Sequence, residues 1–105
     1  MKLQSTTHNN DITIKIEGRI DTTNYNEFEN GIAELLEQHQ QNNPTDKLTL
    51  DCSSLTYISS SGLRIFLSLY KKMLKTGGTL ELTSLQPPIK EIFDISGFSS
   101  IFNIK

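Results

Sequence analysis

Cysteine and histidine are almost missing from this chain, and long apolar runs are missing altogether. The single cysteine, Cys52, cannot form an internal disulfide, and it falls within an apolar alternation, so it reads as a small buried hydrophobe rather than a catalytic thiol. Two histidines, His8 and His39, are the only candidates for a general base near neutral pH, and no His, Cys or Asp cluster has metal-ligand spacing. No stretch approaches the roughly 18 apolar residues that a spanning helix needs. The opening residues, Met1-Lys2-Leu3-Gln4-Ser5, lack the apolar segment of a secretory signal, so a cytoplasmic protein with no membrane insertion is expected. A large excess of either charge is also lacking. Ten basic against twelve acidic residues give a net charge of −2, which supplies no pull toward nucleic acid or anionic lipid. A length of 105 residues fits one domain with a single modest core.

Patterned isoleucine and leucine are present instead. Ile12, Ile14 and Ile16 alternate with Thr13, Lys15 and Glu17, the period-two signature of a strand buried on one face. Leu48, Leu50 and Cys52 repeat it, as do Leu80 and Leu82 between Thr79, Glu81 and Thr83. Strands covered on both faces would read as continuous apolar runs, so the alternation predicts helices on one face of the sheet only. Residues 2–8 complete a hairpin through His8-Asn9-Asn10-Asp11. Within 24–41, Phe28, Ile32, Leu35, Leu36 and His39 form one helical stripe, and Asn42-Asn43-Pro44-Thr45 ends that helix. A second helix, about 61–75, carries Leu63, Phe66, Leu67, Tyr70 and Leu74 toward the core, with Gly77-Gly78 just beyond it. Pro87-Pro88 opens a short third helix through Ile89, Ile92 and Phe93, and Gly97 separates it from an apolar tail. The span 47–83 is a strand–helix–strand crossover, hence a parallel pair. Ile65, Leu69 and Met73 also recur every four residues on another side of the second helix. They read either as a helix buried all round or as an exposed strip for docking.

Catalytic readings fail in turn. A serine between strand and helix invites comparison with a nucleophile elbow, but Gly-x-Ser-x-Gly is absent, and Ser59-Ser60-Ser61-Gly62 is not followed by the Lys of a phosphate-binding loop. A small hydrolase acting through Ser61 is the remote reading; a non-enzyme without cofactor or metal is expected. What the cluster does offer is a hydroxyl beside a glycine at a helix start, where unpaired N–H groups and the helix dipole favour negative charge. That suits a covalent switch. Ser59 or Ser60 serves equally as a plain N-cap, Gly62 as a point of close packing, and Asp21 as a turn or helix cap.

Two blocks carry a family resemblance. Gly18-Arg19-Ile20-Asp21-Thr22-Thr23-Asn24, and the run from Asp51 through Tyr57-Ile58-Ser59-Ser60-Ser61-Gly62-Leu63, resemble the two signatures of the STAS domain. The order of elements agrees over nearly the whole chain. The resemblance implies one STAS domain over residues 1–105, of α/β (α+β-like) class, with a four- to five-stranded mixed sheet and helices packed on one face. It implies a bacterial anti-sigma factor antagonist whose phosphoacceptor is Ser61, with Ser60 and Ser59 as neighbouring alternatives. An anti-sigma factor with serine kinase activity would be captured by the unmodified form, and a serine phosphatase would reverse the modification. The implied partner surface comprises Asp21, Thr22, Thr23, Ser59, Ser60, Gly62, Leu63, Arg64, Ile65 and Leu69, on a monomer or weak dimer. Two positions depart from the pattern. Ser59 stands where the family usually has aspartate, and Arg64 where a small residue is frequent. The alternative reading is an unphosphorylated STAS accessory or scaffold subunit, for instance of a lipid-transport ABC system.

Overall fold

The isoleucine alternation becomes the second strand of a five-stranded mixed sheet. The computed structural model describes residues 1–40 and 44–105. Its elements are β1 (Lys2–His8), β2 (Asp11–Ile20), α1 (Tyr25–His39), β3 (Lys47–Ile58), α2 (Ser60–Lys75), β4 (Thr79–Thr83), α3 (Pro87–Ile95) and β5 (Asn103–Ile104), with one 3-10 turn at Phe98–Ser100. Spatial order follows chain order, β1 to β5, with β1 antiparallel to β2 and every other pair parallel. Asn9 takes a positive φ of 54° in the hairpin, a conformation asparagine tolerates. Of the expected helix end at Asn42-Asn43-Pro44-Thr45, Asn42 and Asn43 lie outside the described residues, as does Gln41.

All three helices pack on one face. Ile12, Ile14 and Ile16 of β2, Leu48, Leu50 and Cys52 of β3, and Leu80 and Leu82 of β4 are buried there. The Phe66 ring on α2 lies 5.8 Å from Phe28 on α1, 5.9 Å from Phe93 on α3 and 6.4 Å from Phe102. A single aromatic ring therefore joins the three helices to the C-terminal segment. The opposite face keeps Thr13, Lys15, Glu17, Asp51, Glu81 and Thr83 partly exposed, with ion pairs Lys15–Glu17 and Lys47–Glu81 each at 3.9 Å.

Two expectations change. Leu74, assigned to the core stripe of α2, is 57% exposed, whereas Met73 is buried. The chain returns to β4 through Gly77-Gly78, and a Cβ at Gly78 would lie only 2.6 Å from Met73 Cε, so this turn covers Met73. Ile65 and Leu69 are buried as well, so α2 is wedged on several sides, while Leu67 and Tyr70 are only half-buried. Second, β3 extends beyond the Leu48, Leu50 and Cys52 alternation and runs on to Ile58. Register against β2 shifts twice, from Lys15↔Asp51 to Glu17↔Ser54 and from Gly18↔Leu55 to Arg19↔Tyr57, so β3 carries an extra residue at each shift. Asp51 Oδ1 accepts the Ser53 N–H at 3.0 Å at the first, and Thr56 Oγ1 donates to the Gly18 carbonyl at 3.1 Å beside the second.

Candidate functional site

The bulged strand delivers the serine cluster to the carboxyl ends of β2 and β3. The Ser59 N–H donates to the Ile20 carbonyl at 2.8 Å, and α2 starts on the next residue. Ser59 is the N-cap. Its backbone is extended (φ −85°, ψ 171°), its Oγ accepts the Gly62 N–H at 3.3 Å, and it is only 7% exposed. A hydroxyl here thus fills the capping role for which aspartate is equally suited. Ser60, the first helical residue, is exposed, and Ser61, the second, is half-buried. Among the described residues neither hydroxyl has a hydrogen-bond partner. Gly62 lies flat against the strand ends: a Cβ there would meet Ile20 Cγ2 and Ile58 Cγ1 at 2.8 Å each.

Asp21 builds the neighbouring loop. Its Oδ1 accepts the Thr23 hydroxyl at 2.6 Å, the Thr23 N–H at 2.9 Å and the Asn24 N–H at 3.2 Å. Asn24 answers by accepting the Asp21 N–H at 2.8 Å and donating to the Arg19 carbonyl at 2.8 Å. The Thr23 hydroxyl and amide, with a smaller contribution from Arg19 at 4.0 Å, hold the Asp21 carboxyl below its ordinary range. Asp21 therefore shapes the β2–α1 turn, and Thr22 and Thr23 stand exposed upon it.

Ser61 opens onto a depression of about 150 Å³ lined by Tyr25, Glu29, Ser61, Arg64, Ile65 and Ser68. Tyr25 is the first residue of α1 and Ser61 the second of α2, so two helix N-termini flank the hydroxyl. Both contribute positive potential there. Of the expected partner surface, Thr22, Thr23, Ser60 and Arg64 are exposed and Asp21 is half-buried, while Ser59, Gly62, Leu63, Ile65 and Leu69 are largely covered. The last five therefore shape the surface more than they present area to it.

Sequence reasoning passes over several neighbours. The Arg19 guanidinium lies 4.5 Å from the centre of the Tyr57 ring, and both side chains are exposed beside the Asp21 turn. Only the second register shift makes these two residues partners, so no spacing rule reveals them. Tyr25, Glu29 and Ser68 likewise meet Ser61 only once α1 and α2 lie side by side. Cys52 is buried, with its thiol pushed up to about 12, chiefly by desolvation. No helix among the described residues is long and apolar enough to cross a membrane.

The profile of the STAS domain family matches residues 2–105. The chain belongs to the STAS domain family. A candidate anti-sigma factor antagonist of Bordetella bronchiseptica, BtrV, is 34% identical over 85% of this chain and 72% of its own. The anti-sigma-B factor antagonist of Bacillus subtilis is 30% identical over 90% of this chain and 82% of its own. Among solved structures, a candidate anti-sigma factor antagonist from Thermotoga maritima superposes with a TM-score of 0.84 at 16% identity, covering 97% of this chain and 84% of that one. The Bacillus protein SpoIIAA in its phosphorylated form superposes at 0.71 and 16% identity, over 99% of this chain and 91% of that one. At such identities the structures speak for the STAS fold alone. That fold is the mixed sheet that the resemblance implies, with the helices on one face as the strand alternation predicts.

Proposed function

We propose that this STAS protein is an anti-sigma factor antagonist switched by phosphorylation of Ser61. In this reading the unmodified form binds an anti-sigma factor with serine kinase activity, and a serine phosphatase restores it. One observation carries the assignment to Ser61. Of three consecutive serines, Ser59 is buried and committed to capping, whereas Ser61 is partly exposed, unpartnered among the described residues and flanked by two helix starts. Ser60 is more exposed but lies outside the depression.

A phosphate adds about −1.5 to −2 charge. At a helix N-terminus that is favourable by roughly 0.3–1 kcal/mol, so the modified domain keeps its fold. Arg64 on the depression wall favours the phosphate, and Glu29 on the facing wall opposes it. Switching then acts at the surface, where a partner shaped for a neutral hydroxyl meets charge. A hundredfold loss of affinity needs only about 2.7 kcal/mol, well within the cost of like charges and desolvated groups at an interface.

Phosphosite mapping after incubation with the kinase partner and ATP tests the reading. Phosphate on Ser61 in the wild type, none in Ser61→Ala, and retained binding by Ser61→Ala are expected. Incorporation at Ser60 would move the site by one residue. No incorporation together with stable binding to membrane-transporter subunits would favour an unphosphorylated accessory subunit.

A further inference from the structure

Resting on that reading, we propose that the cleft between α1 and α2 receives an amphipathic helix of the anti-sigma factor, basic along its edge toward α1 and acidic along its edge toward α2. The depression at Ser61 is one end of a longer channel. It continues through a hollow of about 230 Å³ that shares Glu29, Ile65 and Ser68 with the first. From there it reaches a third hollow that shares Ala33 and Lys72 with the second. Ser61 lies eleven positions before Lys72 on α2, about 17 Å or three helical turns, the length over which a partner helix makes contact. Ala33 and Ser68 keep the middle open, and the apolar floor is Ile65 and Leu69.

The walls carry opposite charge. Glu29 and Glu37 stand on the α1 side, Arg64 and Lys72 on the α2 side. Among the described residues none of the four lies within 4.0 Å of an opposite charge, although they face one another across the channel. They are free to pair with a third element of matching polarity. The same geometry ties the channel to the switch. A phosphate on Ser61 sits at the end of the α2 wall, repels an acidic edge arriving there and competes for Arg64.

Affinity of the purified anti-sigma factor for the full chain tests this, with three variants beside the wild type. Ser68→Trp fills the channel, Glu29→Lys with Glu37→Lys makes both walls basic, and Thr13→Lys alters the opposite sheet face as a control. Melting curves of each variant confirm folding. Losses of tenfold or more for the first two, with Thr13→Lys unchanged, are expected; because the charge pair replaces only surface groups, it keeps the test valid if Ser68→Trp fails to fold. Wild-type affinity in both channel variants, with binding lost on Thr22→Trp or Ser60→Trp, overturns the channel and leaves the proposed function standing. Absence of any wild-type complex overturns both.

Discussion

A single hydrogen at Gly62 decides how closely α2 approaches the sheet. A methyl group in its place meets Ile20 and Ile58 at 2.8 Å, and both are buried core side chains with little room to yield. Gly62→Ala is expected to lose about 1–3 kcal/mol, read as a lower urea midpoint; an unchanged midpoint would mean that the helix start shifts freely. At Ser59, removal of the cap by alanine should cost about 1 kcal/mol. Ser59→Asp should match or exceed the wild type, because the carboxylate keeps the acceptor and adds charge favoured by the dipole. Asp21 carries a pH signature. Its carboxyl is more acidic in the folded chain, so its contribution to stability is complete above the unfolded value near 3.9 and fades as pH falls through the folded one. A carboxyl-carbon NMR titration should give Asp21 a midpoint below 3.8, and Thr23→Ala should raise it. The motif Asp21-Thr22-Thr23-Asn24 is legible in the sequence as a signature. Its hydrogen bonds are not, because several turns satisfy the same composition.

At the scale of elements, α2 shows why periodicity misplaces a residue. Leu74 extends the stripe begun by Leu63, Phe66 and Tyr70, yet its side chain is exposed while that of Met73 is buried. What covers that turn is Gly78, brought back by the link to β4, and it covers Met73. Met73→Ala should therefore cost about 2–5 kcal/mol, while Leu74→Lys should stay within about 0.5 kcal/mol of the wild type in the same denaturation assay. β3 gives a second case. Two extra residues break its alternation after Cys52, so the pattern reads as a loop although backbone pairing continues to Ile58. Those bulges set the serine cluster level with the Asp21 turn and bring Tyr57 to Arg19.

The whole molecule pivots on Phe66, whose ring touches rings from α1, α3 and the C-terminal segment. Phe66→Ala should remove about 3–5 kcal/mol, a large share of the roughly 5–15 kcal/mol that stabilises a domain of this size. Modification of Ser61 belongs at the other extreme. Phosphoserine installed there should move the melting temperature upward by no more than roughly 8 °C, since about 1 kcal/mol corresponds to roughly 4–8 °C in a small domain. Binding to the anti-sigma factor should fall about a hundredfold in the same preparation. Unfolding on modification would contradict a switch confined to the surface.

Period-two isoleucines, helical stripes and glycine–proline breaks were enough to dictate four strands, three helices and a one-sided core, because each depends on neighbours a few residues away; the fifth strand, Asn103–Ile104, exists only through its pairing with β4. The serine cluster and its placement at a helix start were equally local. Which serine caps and which faces outward, which residues share a channel with Ser61, and which end of α2 is covered were decided only by packing. Those outcomes depend on a register set by two bulges and on helices joined through separate crossovers, contacts between residues far apart in the chain that no local pattern encodes.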